Sequence, residues 1–356
     1  MSQRTKVFNQ PGVVTEGWYW ALKSRDVRRR QIKPVDLMGR RLVVYRGEDG
    51  KARAMDGHCR HMGADLSLGR VEGIGLRCFF HNWCYDGEGV CHDIPSLGGP
   101  PERVIKIRRW CAAEAYGIVW IWVGEGAPEI DLPLSPELRG EEVVFQLGRR
   151  FLKGCHPNVV MVNAIDEHHF QSVHRLPGSM LDLQPQVENA QVIRFSNQSR
   201  IPPTNRLRRF LSRFYKGPLY YDLTYWGATN GCTSFGPDFL RFHLVFALRQ
   251  TGDGKTEGWP ILITRRRKGW IGAALTRAIL LLTGLGSGYF ARNDTKLFQT
   301  IRFDLRTPIA TDRSVIAFMH HTEQLKVMDW ADRVEPGSLL PLTLSEIPQA
   351  KMGLAR

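Results

Sequence analysis

The sequence predicts an α+β chain in two domains, an all-β one over residues 1–135 and a mixed one over 136–356 that joins an antiparallel sheet to helices. Three observations carry this expectation. At 356 residues the chain exceeds the size at which one hydrophobic core keeps growing, so it divides. Its first third consists of short strand-like runs cut by glycine. A proline-rich stretch over 127–136 then reads as a linker, and the remainder mixes helical and strand-like runs. With 43% hydrophobic and 24% charged residues, the composition excludes a disordered or collagen-like chain.

In the first domain the strand-like runs are 41–45, 76–80 and 116–123, with turn signals at 47–50, 69–75 and 86–89. In the second, a helix is expected over 158–174, entered through His156-Pro157, because proline is tolerated in a first helical turn. The runs 239–248 and 313–319 read as strands, and 270–290 and the run after Asn293 as helical. Segment 270–290 follows Arg265-Arg266-Arg267-Lys268. Arg277 and several Gly and Thr residues interrupt it, whereas a spanning helix needs about 20 predominantly apolar residues. A buried helix is therefore expected, and the alternative is a peripheral contact with the basic run facing lipid headgroups.

Lys and Arg (49) outnumber Asp and Glu (35), leaving a net charge of +14. Such a surface favours an acidic partner, whether protein, phosphate or anionic lipid; nothing in the sequence calls for a nucleic acid. Seven cysteines are too sparse for a disulfide scaffold, and the opening MSQRTKVFNQPG lacks the apolar core of a secretory signal. A cytoplasmic location is expected.

Two constellations bear chemistry. Cys59-Arg-His61 and Cys78-Phe-Phe-His81 each place one thiol and one imidazole in a Gly-flanked loop. Zinc would accept such a set, but its fingers pair Cys with Cys and His with His, the histidines on a helix. One Cys and one His from each loop suits a [2Fe–2S] cluster with two Cys on one iron and two His on the other. Further on, Asn163-Ala-Ile-Asp166-Glu-His-His169-Phe-Gln-Ser-Val-His174 puts Asp166 and His169 on one helical face. His174 joins that side if the helix bends or ends there. Two neutral imidazoles with one carboxylate, leaving open positions, form the facial triad that binds Fe(II).

The runs Asp56-Gly-His-Cys59-Arg-His61-Met-Gly-Ala-Asp and Cys78-Phe-Phe-His81-Asn-Trp-Cys-Tyr-Asp-Gly resemble the two cluster loops of the Rieske family, in its branch of non-haem iron oxygenases, ring-hydroxylating α-subunit type. The electron-carrying branch adds a cysteine beside each loop pair. Here Gly63, Ala64 and Phe80 stand there, and Cys84, Cys91, Cys111, Cys155 and Cys232 read as packing residues. The resemblance implies an N-terminal Rieske domain and a helix-grip catalytic domain. It assigns Cys59, His61, Cys78 and His81 to the cluster, and His169 and His174 to a mononuclear Fe(II). It gives Asp166 a catalytic role, holding a ligand imidazole and reaching His81 of the partner subunit in a homotrimer. His168, at the wrong offset, reads as surface or packing. The carboxylate ligand is expected at Asp294, in Asp294-Thr-Lys-Leu-Phe-Gln299, with Asp304 as competitor.

A cluster with His ligands sits at about −150 to +300 mV against about −400 mV for a plant-type ferredoxin, so electrons would run downhill to it. The resemblance thus implies electrons ultimately from NAD(P)H through a separate flavin reductase and/or ferredoxin, an acidic partner, with O2 spent on hydroxylation, oxidative demethylation or desaturation. It covers most of the first 180 residues and thins afterwards. The segments 94–101 and 114–120, with Trp110, resemble oxygenases of steroid-like and other bulky alicyclic molecules. Apolar stretches at 210–214, 220–226 and 270–290 would suit a hydrophobic pocket, although most of them are expected in the core. Two other readings remain: a Rieske electron carrier without oxygenase activity, and a zinc-stabilised binding protein.

Overall fold

The computed structural model describes residues 5–175, 181–199 and 215–330. The segment 210–214 lies outside them. The chain forms two compact units, one of Lys23–Ala112 with Asp329 and Trp330, the other of the residues up to Leu22 with Ala113–Met328. This differs from a single cut at 135/136. The reason is strand pairing. Gly17–Lys23 and Ile118–Val123 are neighbours in a three-stranded sheet with Ala112–Ala115. Trp18 gives its backbone carbonyl to Asn230 (2.6 Å) and Trp20 gives its own to Arg249 (3.0 Å), which anchors the first strand in the second unit. Trp120 and Trp122 of Ile118–Val123 are fully buried. At about 25 cal/mol per Å², an aromatic side chain of about 150–250 Å² contributes about 4–6 kcal/mol before entropy is counted.

The proline-rich stretch is not a loose linker. The indole of Trp18 donates to Ile130 O at 2.9 Å, and Ser135, fully buried, meets Ser234 Oγ at 2.9 Å.

The smaller unit holds two antiparallel four-stranded sheets. One runs in the order Arg109–Trp110, Ala52–Asp56, Arg40–Arg46, Ile32–Leu37; the other Arg70–Glu72, Gly75–Arg77, Cys84–Tyr85, Cys91–Asp93. The expected strand at 76–80 ends at Arg77, because Cys78 already turns into a loop. Gly75 is required by contact: a Cβ there would sit 2.0 Å from Tyr85 O.

The larger unit is built on an eight-stranded antiparallel sheet. Its order is Val143–Leu147, Thr256–Arg265, Phe242–Gln250, Asn230–Pro237, Leu219–Trp226, Val192–Ser199, Gln184–Val187, with Phe151–Lys153 on the other end of Thr256–Arg265. Register pairs Phe195 with Leu223 and Ile193 with Tyr225. These four side chains enter one core with Met161, Val162, Ile165, Val315 and Phe318. Alternation along the strands sends Arg194, Asp222 and His243 to the opposite face. There they line a polar cavity of about 500 Å³ with Glu137, Arg241 and Arg265.

Three expectations about helices and strands are corrected. The single helix over 158–174 is two short helices, α1 (Pro157–Asn163) and α2 (Glu167–Ser172), because Asp166 adopts an extended conformation and caps the second. The run 313–319 is not a strand but part of helix α4 (Arg313–Thr322), α3 being Gly269–Thr300. In α4 the buried positions Ser314, Val315, Phe318, His321 and Thr322 recur every three or four residues. The segment 270–290 belongs to α3, and only 22% of its most apolar window is buried. Thr276, Ile279, Leu280 and Thr283 face inward, while Ile271, Leu275, Leu282, Leu285 and Tyr289 face solvent.

Candidate metal centres

In the smaller unit, two loops of matching design follow strands Ala52–Asp56 and Gly75–Arg77. Each is closed by its cysteine N–H donating to the carbonyl five residues on, Cys59 to Ala64 and Cys78 to Trp83, both at 2.9 Å. Each carries a left-handed residue four after the cysteine: Gly63 at φ 73° and Asn82 at φ 57°. Glycine has no Cβ penalty there, and asparagine tolerates it better than most. Arg77 secures the second loop by donating to Asn82 O and to Asp93, both at 2.8 Å.

The four sequence-assigned residues meet in pairs, Cys59 beside Cys78 and His61 against His81. The cysteines are buried and the imidazoles exposed, with His61 Nδ1 and His81 Nδ1 3.0 Å apart. Trp83 stacks on His61 at 4.4 Å and Phe80 leans on His81 at 3.8 Å. Tyr85, whose role the sequence did not signal, hydrogen-bonds Cys59 Sγ at 3.0 Å. Burial raises the Cys59 thiol above its ordinary pKa; a metal cluster would reverse that by stabilising the thiolate. Burial also pushes Cys84 up to about 11 and raises Cys91, so both stay protonated at neutral pH. None of the seven cysteines is in a disulfide.

In the larger unit, α1 and α2 lie on the core face of the sheet and α3 brings in the third donor. His169 sits within α2, His174 two residues past its end, and Asp294 on the inward face of α3. His169 Nε2 and His174 Nε2 are 3.0 Å apart, and each lies 3.1–3.2 Å from Asp294 Oδ1. Three acceptor atoms in so small a triangle repel one another unless a cation joins them. The fit is geometric as well: donors about 2.1 Å from an octahedral ion, at right angles, stand about 3.0 Å apart. Asp294 Oδ1 is buried and accepts no hydrogen bond, despite its nearness to both rings. Its lone pairs are left for a metal. Burial keeps His174 below its ordinary pKa, against the pull of Asp294, so the imidazole stays a neutral ligand. The polar cavity is on the other face of the sheet and contains none of these donors.

The remaining assignments fall as follows. Asp166 accepts from the His169 backbone N–H at 3.0 Å, as the N-cap of α2. His168 is exposed. Asp304 pairs with Arg306 on the surface rather than joining the triad. Asn163 was visible only as part of a motif; its Nδ2 donates to Asp294 Oδ2 at 3.0 Å. Phe290 sets its ring at 72° to His174, 4.7 Å away, one helical turn before Asp294. Phe170 packs against both His174 and Tyr221, and Tyr221 donates to Ala164 O. Sequence reasoning missed these wall residues, although the four-residue spacing of Phe290 and Asp294 on one helix was legible. Lys153, which donates to Thr295 Oγ1 at 2.7 Å, is a further unforeseen charge beside Asp294.

A twin-loop site of two cysteines and two histidines, together with a triad of two histidines and a carboxylate on the same chain, defines a Rieske-type iron protein with a second, mononuclear centre. A model of the Rieske [2Fe-2S] domain matches residues 17–107. The chain is 34% identical to cholesterol 7-desaturase of Bombyx mori over 46% of this chain and 36% of that protein. It is 27% identical to aminopyrrolnitrin oxygenase of Pseudomonas fluorescens over 81% of this chain and 84% of the relative. In fold it resembles NdmA of Pseudomonas putida CBB5, solved as a mutant with theobromine, at a TM-score of 0.61 and 16% identity over 89% of this chain and 96% of that one. Residues 17–107 are thus a Rieske [2Fe–2S] domain, and the chain is similar to Rieske oxygenases, which implies a [2Fe–2S] cluster and a mononuclear non-haem iron; it spans less than half the length of the first curated relatives it matches.

Proposed function

We propose that this chain is the terminal oxygenase component of a Rieske system, accepting electrons that originate in NAD(P)H from a separate flavin reductase and/or ferredoxin. With O2 it hydroxylates, demethylates or desaturates a hydrophobic cyclic substrate. The observation that carries the reading is the convergence of His169, His174 and Asp294 on one point. When bound, the cluster and the iron supply single electrons and an O2-reactive centre. Cys59, His61, Cys78 and His81 would hold the first group; His169, His174 and Asp294 would hold the second. Asn163 fixes the Asp294 carboxylate. Phe170, Tyr221 and Phe290 shield the triad with apolar surface, which supports a hydrophobic substrate. The steroid substrate named for one relative is consistent with that class.

The net charge of +14 supports an electron donor with an acidic docking face. Met62, Phe79 and Phe80, each more than half exposed, surround the two imidazoles. That apolar rim supports docking onto another subunit in a homotrimer, where Asp166 would reach His81 of the partner subunit. A cytoplasmic location accords with thiols left unpaired.

Anaerobic reconstitution with iron and sulfide, followed by metal analysis and EPR, tests the reading. About three irons per chain, one of them mononuclear, are expected, with substrate-dependent O2 consumption and, for hydroxylation, isotopically labelled oxygen in the product. Two irons per chain with no mononuclear signal would reduce the protein to an electron carrier. A colourless zinc protein would overturn both.

A further inference from the structure

Helix α3 has a second face that the metal centre does not use. Its inward stripe packs on the sheet and presents Asp294; a Cβ on Gly284 would lie 3.2 Å from Leu262. The opposite stripe, Ile271, Leu275, Leu282, Leu285 and Tyr289, is solvent-exposed at helical spacing, with Leu285 63% and Tyr289 67% exposed. Over its most apolar stretch the helix has a mean hydropathy of 1.4. A contiguous apolar stripe of this length marks an interaction surface.

The exposed charges of the helix itself have one sign. The only acid in α3 is Asp294, which is buried; Arg277, Arg292 and Lys296 are exposed. Arg265, Arg266, Arg267 and Lys268 lead directly into the helix; Arg265 and Arg267 also line the polar cavity, and Glu141 and Glu142 pair with Arg265 and Arg266. Four cations at a helix N-terminus oppose the helix dipole, which favours anions there, and α3 has no side-chain N-cap. The basic run therefore does not serve the stability of the helix. Trp270, 82% exposed, stands between the basic run and the apolar stripe, the position an indole takes at a membrane–water boundary.

We propose that the outer face of α3 docks on an anionic lipid bilayer, lying in the interface without crossing it. The inward stripe cannot enter lipid because it is packed on the sheet. The binding follows the rule for interfacial helices: buried apolar area adds to attraction between cations and acidic headgroups. It would place the outer side of the helix among lipid-dissolved molecules while its inner side holds Asp294. The docking itself does not depend on the oxygenase reading.

The test is co-sedimentation of the reconstituted full chain with phosphatidylcholine vesicles, with and without phosphatidylglycerol, at low ionic strength. Pelleting with the anionic vesicles alone, and a blue-shifted tryptophan emission lost in Trp270→Ala, are expected. Arg266→Glu with Lys268→Glu should weaken binding at least about fivefold per position, and Leu282→Gln with Leu285→Gln should abolish it. All these variants should keep the wild-type iron content, which separates this outcome from failure of the oxygenase reading. Equal pelleting with neutral and anionic vesicles, or unchanged binding by the leucine variant, would overturn the proposal. So would a wild-type oligomer that ignores vesicles and dissociates in the leucine variant, since a second copy would then cover the stripe.

Discussion

Asn163 and Asp294 are separated by 131 positions, yet the Asn163 amide donates to Asp294 Oδ2 at 3.0 Å. One oxygen of the carboxylate is thereby held, and the other, Oδ1, is turned toward His169 and His174. Asn163→Ala removes that hold while leaving all three donors. Partners of this kind are worth about 10–100-fold in metal affinity. The variant should therefore need about that much more Fe(II) for half-occupancy in a metal titration, with the visible spectrum of the cluster unchanged.

Deleting a donor should separate the two centres more sharply. His169→Ala, His174→Ala and Asp294→Asn each leave the smaller unit untouched. Iron content should fall from about three to about two per chain, the EPR signal of the reduced cluster should remain, and product formation should cease. Loss of the cluster signal in the same variants would show that the centres are not independent.

Tyr85 offers a test of the cluster loops. Its hydroxyl meets Cys59 Sγ at 3.0 Å, and hydrogen bonds to the sulfurs of a cluster favour the reduced, more negative state. Tyr85→Phe keeps the buried ring and removes the bond. The midpoint potential should move negative by on the order of 40 mV, the one-electron equivalent of about 1 kcal/mol. A redox titration monitored by circular dichroism measures it.

Stability should weaken in mild acid. His156 is the buried N-cap of α1; its Nδ1 accepts from Asn158 N–H, and burial lowers its pKa to about 4. Below about 6.5 the unfolded chain takes up this proton and the folded one does not, so folding loses free energy as pH falls toward 4 and no more below it. The loss reaches about 3 kcal/mol. His156→Asn keeps a capping side chain and removes the titration. The variant's urea midpoint should drop less than the wild type's between pH 6.5 and 4.

The cluster loops were the most legible part of the chain. Each binds through residues within six positions of one another, closed by a single backbone turn, so local spacing reports them. The histidines 169 and 174 were legible as a motif, but not the break at Asp166 that places His174 beyond the helix end. The helix over 313–322 was misread because Val315, Ile316 and Phe318 have strand-like chemistry; burial at every third or fourth residue, invisible before packing, decides for a helix. The apolar run in α3 was taken for core on composition, and composition cannot distinguish a stripe that faces the sheet from one that faces outward.

By itself the amino-acid order determined the chemistry: which thiols and imidazoles share a loop, which two histidines lie five apart, and the positive surface. These are short-range properties, set by turns and periodicity. The third dimension alone gave Asn163 its partner, fastened the first strand to the second unit and left half of α3 bare. Each of those depends on contacts between segments far apart in sequence, whose pairing is settled only when the sheet and its helices close around a common core.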